Sequence, residues 1–142
     1  MKSRIFNTIS LPAGVDIALL IMRLVVGYAF ILHGWGKIQH PMTWMGPDAV
    51  YPGAIQALAA ISEFAGGILL ILGLLTRIAA FGIICTMVVA IYTHAIVMHD
   101  PFVNPKGGSF ELASVYLAIA LLLITIGAGR YSVDRLLSGR KK

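Results

Sequence analysis

A chain of 142 residues has room for one domain, and its 12% charged residues are about half the share usual in a soluble one. With 58% hydrophobic residues and a mean hydropathy of +0.88, a disordered tail, a disulfide-stapled secreted domain and a soluble nucleotide-binding fold are all excluded. The net charge of +5 invites a nucleic-acid reading, but the basic residues are placed as topology signals, so no nucleic-acid partner is expected.

Lys2 and Arg4 open the chain. The apolar run behind them is too long for a signal peptide, contains Arg23 and has no small-residue cleavage site after it, so the first helix is expected to be retained. Four stretches, about 15–35, 53–75, 78–98 and 110–128, are long enough to cross roughly 30 Å of hydrocarbon. In lipid only helices or a closed barrel satisfy the backbone, and four spans cannot close a barrel. The expected architecture is all-α: one domain over 1–142, built as a four-helix transmembrane bundle in the bilayer.

The basic residues orient it. Lys2, Arg4, Arg77, Arg130, Arg135, Arg140, Lys141 and Lys142 fall on one side of an even-numbered bundle, against Lys37 and Lys106 on the other. Both termini are therefore expected in the cytoplasm.

In the first span, counting about 100° per residue, Arg23, Gly27, Phe30, Gly34 and Lys37 form one stripe, with His33 at its edge. The outer loop that follows carries Trp44 and Tyr51 among prolines. Such residues either anchor a loop at the interface or make a lid over an outward-opening site. In the second span Ala59, Glu63, Gly66, Gly67, Leu70 and Gly73 share a face, and small residues at such spacing let membrane helices approach closely. Arg23 and Glu63 lie near the middle of consecutive spans. A charge there costs about 3 kcal/mol even on lenient scales, so the two are expected to face one another. They would either form an ion pair that fixes helix register, or a protonatable Glu63 in a ligand cavity tuned by Arg23.

Thr76 and Arg77 are the whole link to the third span, which makes spans two and three antiparallel neighbours. Cys85, the single cysteine, lies in an apolar run and cannot pair within the chain. His94 shares a helical face with Met87, Ala90, Ile91 and Met98 near the outer end. Glu111 starts the fourth span, so His33, His94 and Glu111 are expected at one outer depth, bordered by Lys37, His99 and Asp100. An apolar cleft with a few convergent polar groups is a binding site by default, and in a membrane it suits a quinone or another lipophilic small molecule. His33 and His94 are also suitable haem ligands, and with Glu111 suitable metal ligands. No haem-attachment motif and no diagnostic spacing accompany them, so neither haem nor metal is expected.

The blocks His33-Gly34-Trp35-Gly36-Lys37, Glu63-Phe64-Ala65-Gly66-Gly67 and Leu72-Gly73-Leu74-Leu75-Thr76-Arg77 resemble the DoxX family in their order. So do His94, Phe110-Glu111-Leu112 and the closing Gly127-Ala128-Gly129-Arg130-Tyr131-Ser132-Val133-Asp134, where Ala128 stands for the usual proline. The resemblance implies a multi-pass protein of the bacterial inner membrane, a class often labelled as oxidoreductase subunits. Its relatives include the quinone-reactive subunit of thiosulfate:quinone oxidoreductase and a mycobacterial protein that links thiol-oxidant defence enzymes at the membrane.

The leading expectation is a membrane subunit of a redox system, with a soluble or membrane partner supplying electrons. Glu63 and Glu111 would act catalytically on protons, His33 and His94 would hydrogen-bond carbonyl oxygens, and Arg23 and Lys37 would stabilise negative charge. The alternatives are a non-catalytic scaffold or assembly factor and, third, a small transporter, for which four helices would have to assemble as a homo-oligomer.

Overall fold

The computed structural model describes residues 11–138, and every regular element among them is helical. Helix α1 covers Ala13–Gln39, α2 Gly53–Leu72, α3 Thr76–Tyr92, α4 Glu111–Ile126 and a short α5 Val133–Leu137. A π-helical turn, Thr93–Val97, prolongs α3. Helices α1, α2 and the prolonged α3 are long and apolar enough to cross a membrane. Helix α4 is apolar but has only 16 residues, a rise of about 24 Å. Gly127, at φ 83 and ψ −161, ends it sooner than the span expected over 110–128. Lys2, Arg4, Arg140, Lys141 and Lys142 lie outside the described residues.

Consecutive helices pack in sequence, α1 on α2, α2 on α3 and α3 on α4. The rings of Phe30 and Tyr116, 4.8 Å apart, join α1 to α4. Leu19, Val26, Phe30, Leu70, Ile83, Met87 and Leu123 fill the centre. Outside, Val25, Leu58 and Phe81 are 60–64% exposed on three different helices. An apolar exterior of this kind is solvated by lipid.

Glycines set the register of α1 against α2. A Cβ on Gly67 would stand 2.6 Å from the Gly27 carbonyl oxygen, and one on Gly34 would stand 2.6 Å from the Phe64 backbone nitrogen. The two backbones therefore touch, as small-residue stripes allow. With Gly27 opposite Gly67 and Gly34 opposite Phe64, Lys37 comes level with Glu63 and Arg23 comes level with Gly73.

The expected pairing of Arg23 with Glu63 is thereby overturned. Helical phase places both charges inward, but the antiparallel offset puts them at different depths. Arg23 is fully buried and donates from Nη2 to the Tyr131 carbonyl, beside Asp134. Its guanidinium fills the space that a side chain at Gly73 would take. Gly73, at φ 62, closes α2: its N–H reaches Leu70 O, and Leu74 N reaches Leu69 O. The buried Asp134 accepts from Leu75 N at 2.7 Å and Thr76 N at 3.0 Å, capping α3 from a distant part of the chain. Asp16 accepts from Arg130 N at 2.8 Å. The segment after α4 thus folds back and ties α1 to the α2–α3 turn.

Candidate functional site

At the opposite end of the bundle the last turn of α1 carries Lys37. Its Nζ donates to both Glu63 oxygens at 2.7 Å and lies 4.5 Å from the centre of the Trp44 ring. The Glu63 side chain is 4% exposed and that of Lys37 25%. The partner of Glu63 is therefore the lysine fourteen positions beyond Arg23 on the same helical stripe.

The loop between α1 and α2 is fastened over this pair by the buried Gln56. Its backbone carbonyl accepts from Trp44 Nε1 at 3.0 Å, its Oε1 accepts from Met45 N at 3.1 Å, and its Nε2 donates to Tyr51 O at 2.9 Å. The Tyr51 hydroxyl then meets Thr93 Oγ1 at 2.8 Å. Trp44 and Tyr51 thus border the space between the helices.

The π turn begins at Thr93, whose hydroxyl donates to Val89 O at 2.7 Å. Widening the helix here turns the chain back on itself. His99 takes φ 56, and Asp100 N reaches His94 O at 2.8 Å. The Asp100 carboxylate then meets His94 Nδ1 at 2.7 Å. Gly108 leaves room for that carboxylate, which any Cβ there would strike.

Two adjoining cavities of about 240 and 200 Å³ lie between the helices, sharing Lys37, Glu63, Ala90 and His94 in their walls. Trp44, Tyr51, Gln56 and Thr93 complete one; Phe30, His33, Met87 and Tyr116 complete the other. Together they fall within the ~300–1,000 Å³ of small-molecule sites. The walls are mostly apolar, and the four ionisable residues named from sequence as His33, Lys37, Glu63 and His94 converge there.

Arg23 and Glu111 do not join them. Arg23 belongs to the opposite end, and Glu111 is exposed at the start of α4, outside the lining of both cavities. Among the described residues no three His, Cys, Asp or Glu are grouped as metal ligands, so His33, His94 and Glu111 do not form such a set. Gln56 and Tyr116 were not foreseen. Gln56 had a readable signal, since it lies seven residues before Glu63 and so on the same helical face. Tyr116 had none beyond being the aromatic polar residue of the fourth span.

A family model for DoxX matches residues 18–99. An uncharacterized protein of Haemophilus influenzae is 34% identical over 117 residues, 82% of this chain and 87% of its own length. The inner membrane protein YqjF of Escherichia coli is 32% identical over 87% of this chain and 94% of its own. An uncharacterized membrane protein of Mycobacterium tuberculosis is 34% identical over 87% and 83%. No solved structure gives a significant match.

Proposed function

The chain belongs to the DoxX family of membrane proteins, and on that premise we propose that it is an inner-membrane subunit of a redox system that holds a quinone or similar lipophile in the cleft between its helices. The observation that carries this reading is the position of the Lys37–Glu63 pair. A charge used only for packing would sit in a helix seam, as Arg23 does against the Tyr131 carbonyl; the Lys37–Glu63 pair borders both cavities. Lys37 has three N–H donors, two of which reach Glu63, leaving the third for a ligand oxygen. His33 and His94 stand on facing helices across the same space. When bound, a quinone would supply two-electron, two-proton chemistry, with the electrons drawn from a partner protein. This chain's part is to orient the head group, exclude water and hold protons at Glu63 and His94.

The chain would lie with both termini in the cytoplasm. Arg77, Arg130 and Arg135 belong to the end formed by the α2–α3 turn and the returning segment, whereas Lys37 and Lys106 belong to the cleft end. The cleft then opens outward. A carboxyl-terminal fusion should be active with a cytoplasmic reporter and silent with one that works only in the periplasm; the reverse would put the cleft on the inner face.

Binding is tested with a quinol analogue on detergent-purified protein. Losing one hydrogen bond costs about 0.5–1.5 kcal/mol to a neutral oxygen and about 1.5–3 to a charged one. Alanine at His33 or His94 should therefore weaken affinity by roughly threefold to a hundredfold. A Cys85→Ser control, exposed on α3, should bind as wild type. Unchanged affinity in both well-folded histidine variants would leave the scaffold reading in its place.

A further inference from the structure

The structure spends an unusual amount of local geometry on one contact, Asp100 to His94. A π turn, a left-handed non-glycine residue at His99, a backbone bond from Asp100 N to His94 O and the space left by Gly108 all serve to set that carboxylate on Nδ1. An ionised carboxylate can only accept, so the ring hydrogen of the neutral imidazole resides on Nδ1. Asp100 is absent from the walls of both cavities whereas His94 lines both, so the ring turns its Nδ1 edge to the loop and leaves Nε2 to the cleft. Nε2 has no hydrogen-bond partner among the described residues. A lone pair there accepts hydrogen bonds and cannot donate to a carbonyl, the role expected for His94 from sequence.

We infer that the cleft selects a lipophile bearing a hydroxyl group, a phenol or quinol in place of a fully carbonyl form, with His94 Nε2 accepting the hydroxyl hydrogen bond and Asp100 as its positioning residue. This rests on the lipophile-binding reading above and gives the ligand its chemical class. Around the acceptor, Lys37 and His33 reach the shared space from α1, Glu63 from α2 and Tyr116 from α4. Both Glu63 oxygens already accept from Lys37, whereas His94 is the histidine of the cleft whose acceptor nitrogen is fixed by a hydrogen bond at the other ring nitrogen. A hydroxyl at Nε2 and a second oxygen at Lys37 would bracket a ring between α3 and α1. Carboxylate-backed imidazoles also serve as metal ligands, but no metal-ligand group of three assembles among the described residues.

The test uses full-length protein in mild detergent, a short-chain alkyl hydroquinone and its dimethyl ether. Wild type should bind the hydroquinone about tenfold more tightly than the ether, the effect of one hydrogen bond. Asp100→Asn and His94→Phe should reduce that preference to about twofold or less. Separately, ¹⁵N NMR of histidine-labelled wild type in alkaline buffer should show His94 as the Nδ1–H tautomer, a readout that needs neither variant nor ligand. An Nε2–H tautomer, equal binding of the two probes, or an Asp100→Asn protein that melts earlier yet keeps the full preference would each overturn the inference while leaving the cleft as a lipophile site. If neither probe binds, the lipophile reading itself fails, and the hydroxyl assignment fails with it.

Discussion

Replacing Lys37 by methionine is expected to destabilise the bundle by about 3–5 kcal/mol, the cost of stranding a charge inside a broken buried pair. The orphan is Glu63, with 4% of its side chain exposed and both oxygens deprived of their donor. The reverse change, Glu63→Leu, should cost clearly less. Lys37 is 25% exposed on the last turn of α1 and can extend its ammonium outward past Trp44. Combining Lys37→Met with Glu63→Leu should return much of the loss, with a coupling energy well above the ~0.5 kcal/mol of independent sites. The same cycle between Arg23 and Glu63 should give additive losses, because the register separates them. Thermal or denaturant unfolding in detergent measures both cycles. Strong coupling of Arg23 with Glu63 and none with Lys37 would mean that α1 and α2 are shifted against one another.

A methyl group at Gly67 or Gly34 is expected to destabilise by about 3 kcal/mol, the upper part of the usual overpacking range. What the new Cβ meets is backbone, Gly27 O and Ile31 N in one case and Phe64 N in the other, so no side chain can swing aside. The helices must part, loosening the cleft wall that Lys37 and Glu63 share. Gly66 and Gly36 provide the contrast within the same helices. A Cβ on Gly66 would find Ile83 at an ordinary 3.6 Å, and one on Gly36 would find nothing within 4 Å. Alanine at Gly36 should be neutral or stabilising by up to about 1 kcal/mol through helix propensity. Comparable losses at all four glycines would contradict the backbone contact as the source of the register.

Helical phase was legible in the sequence because a membrane helix marks its inward face with small and polar residues at a 3.6-residue period. Arg23, Gly27, Phe30 and Gly34 are all buried, as are Glu63, Gly66, Gly67 and Leu70. Depth was not legible. Angles around a helix carry no information about the axial offset of its neighbour, so two central charges looked like partners although the glycine contacts hold them apart. The true partner, Lys37, lies on the same stripe, at its outer end. Arg23 instead meets the segment after α4, a return outside the four spans that span-by-span reading cannot see. Glu111 failed to join the cleft for a related reason: sharing a level with His33 and His94 does not decide which way a residue at a helix start turns. The π turn that presents His94 to Asp100 has no compositional mark in Thr93–Val97.

The cleft shared by Lys37, Glu63, Ala90 and His94 is the proposed seat of the lipophile. Ala90 lines both cavities without belonging to any ion pair or hydrogen bond of the site, so Ala90→Phe fills the space while sparing the polar groups. Native mass spectrometry and organic extraction of the two proteins, purified identically in mild detergent, is the direct measurement. Wild type should carry a stoichiometric lipophile with a quinoid or phenolic head group, and a stably folded Ala90→Phe should lose it. A wild-type protein that carries none even after incubation with quinone and quinol analogues, or equal occupancy in the filled variant, would contradict lipophile binding in this cleft.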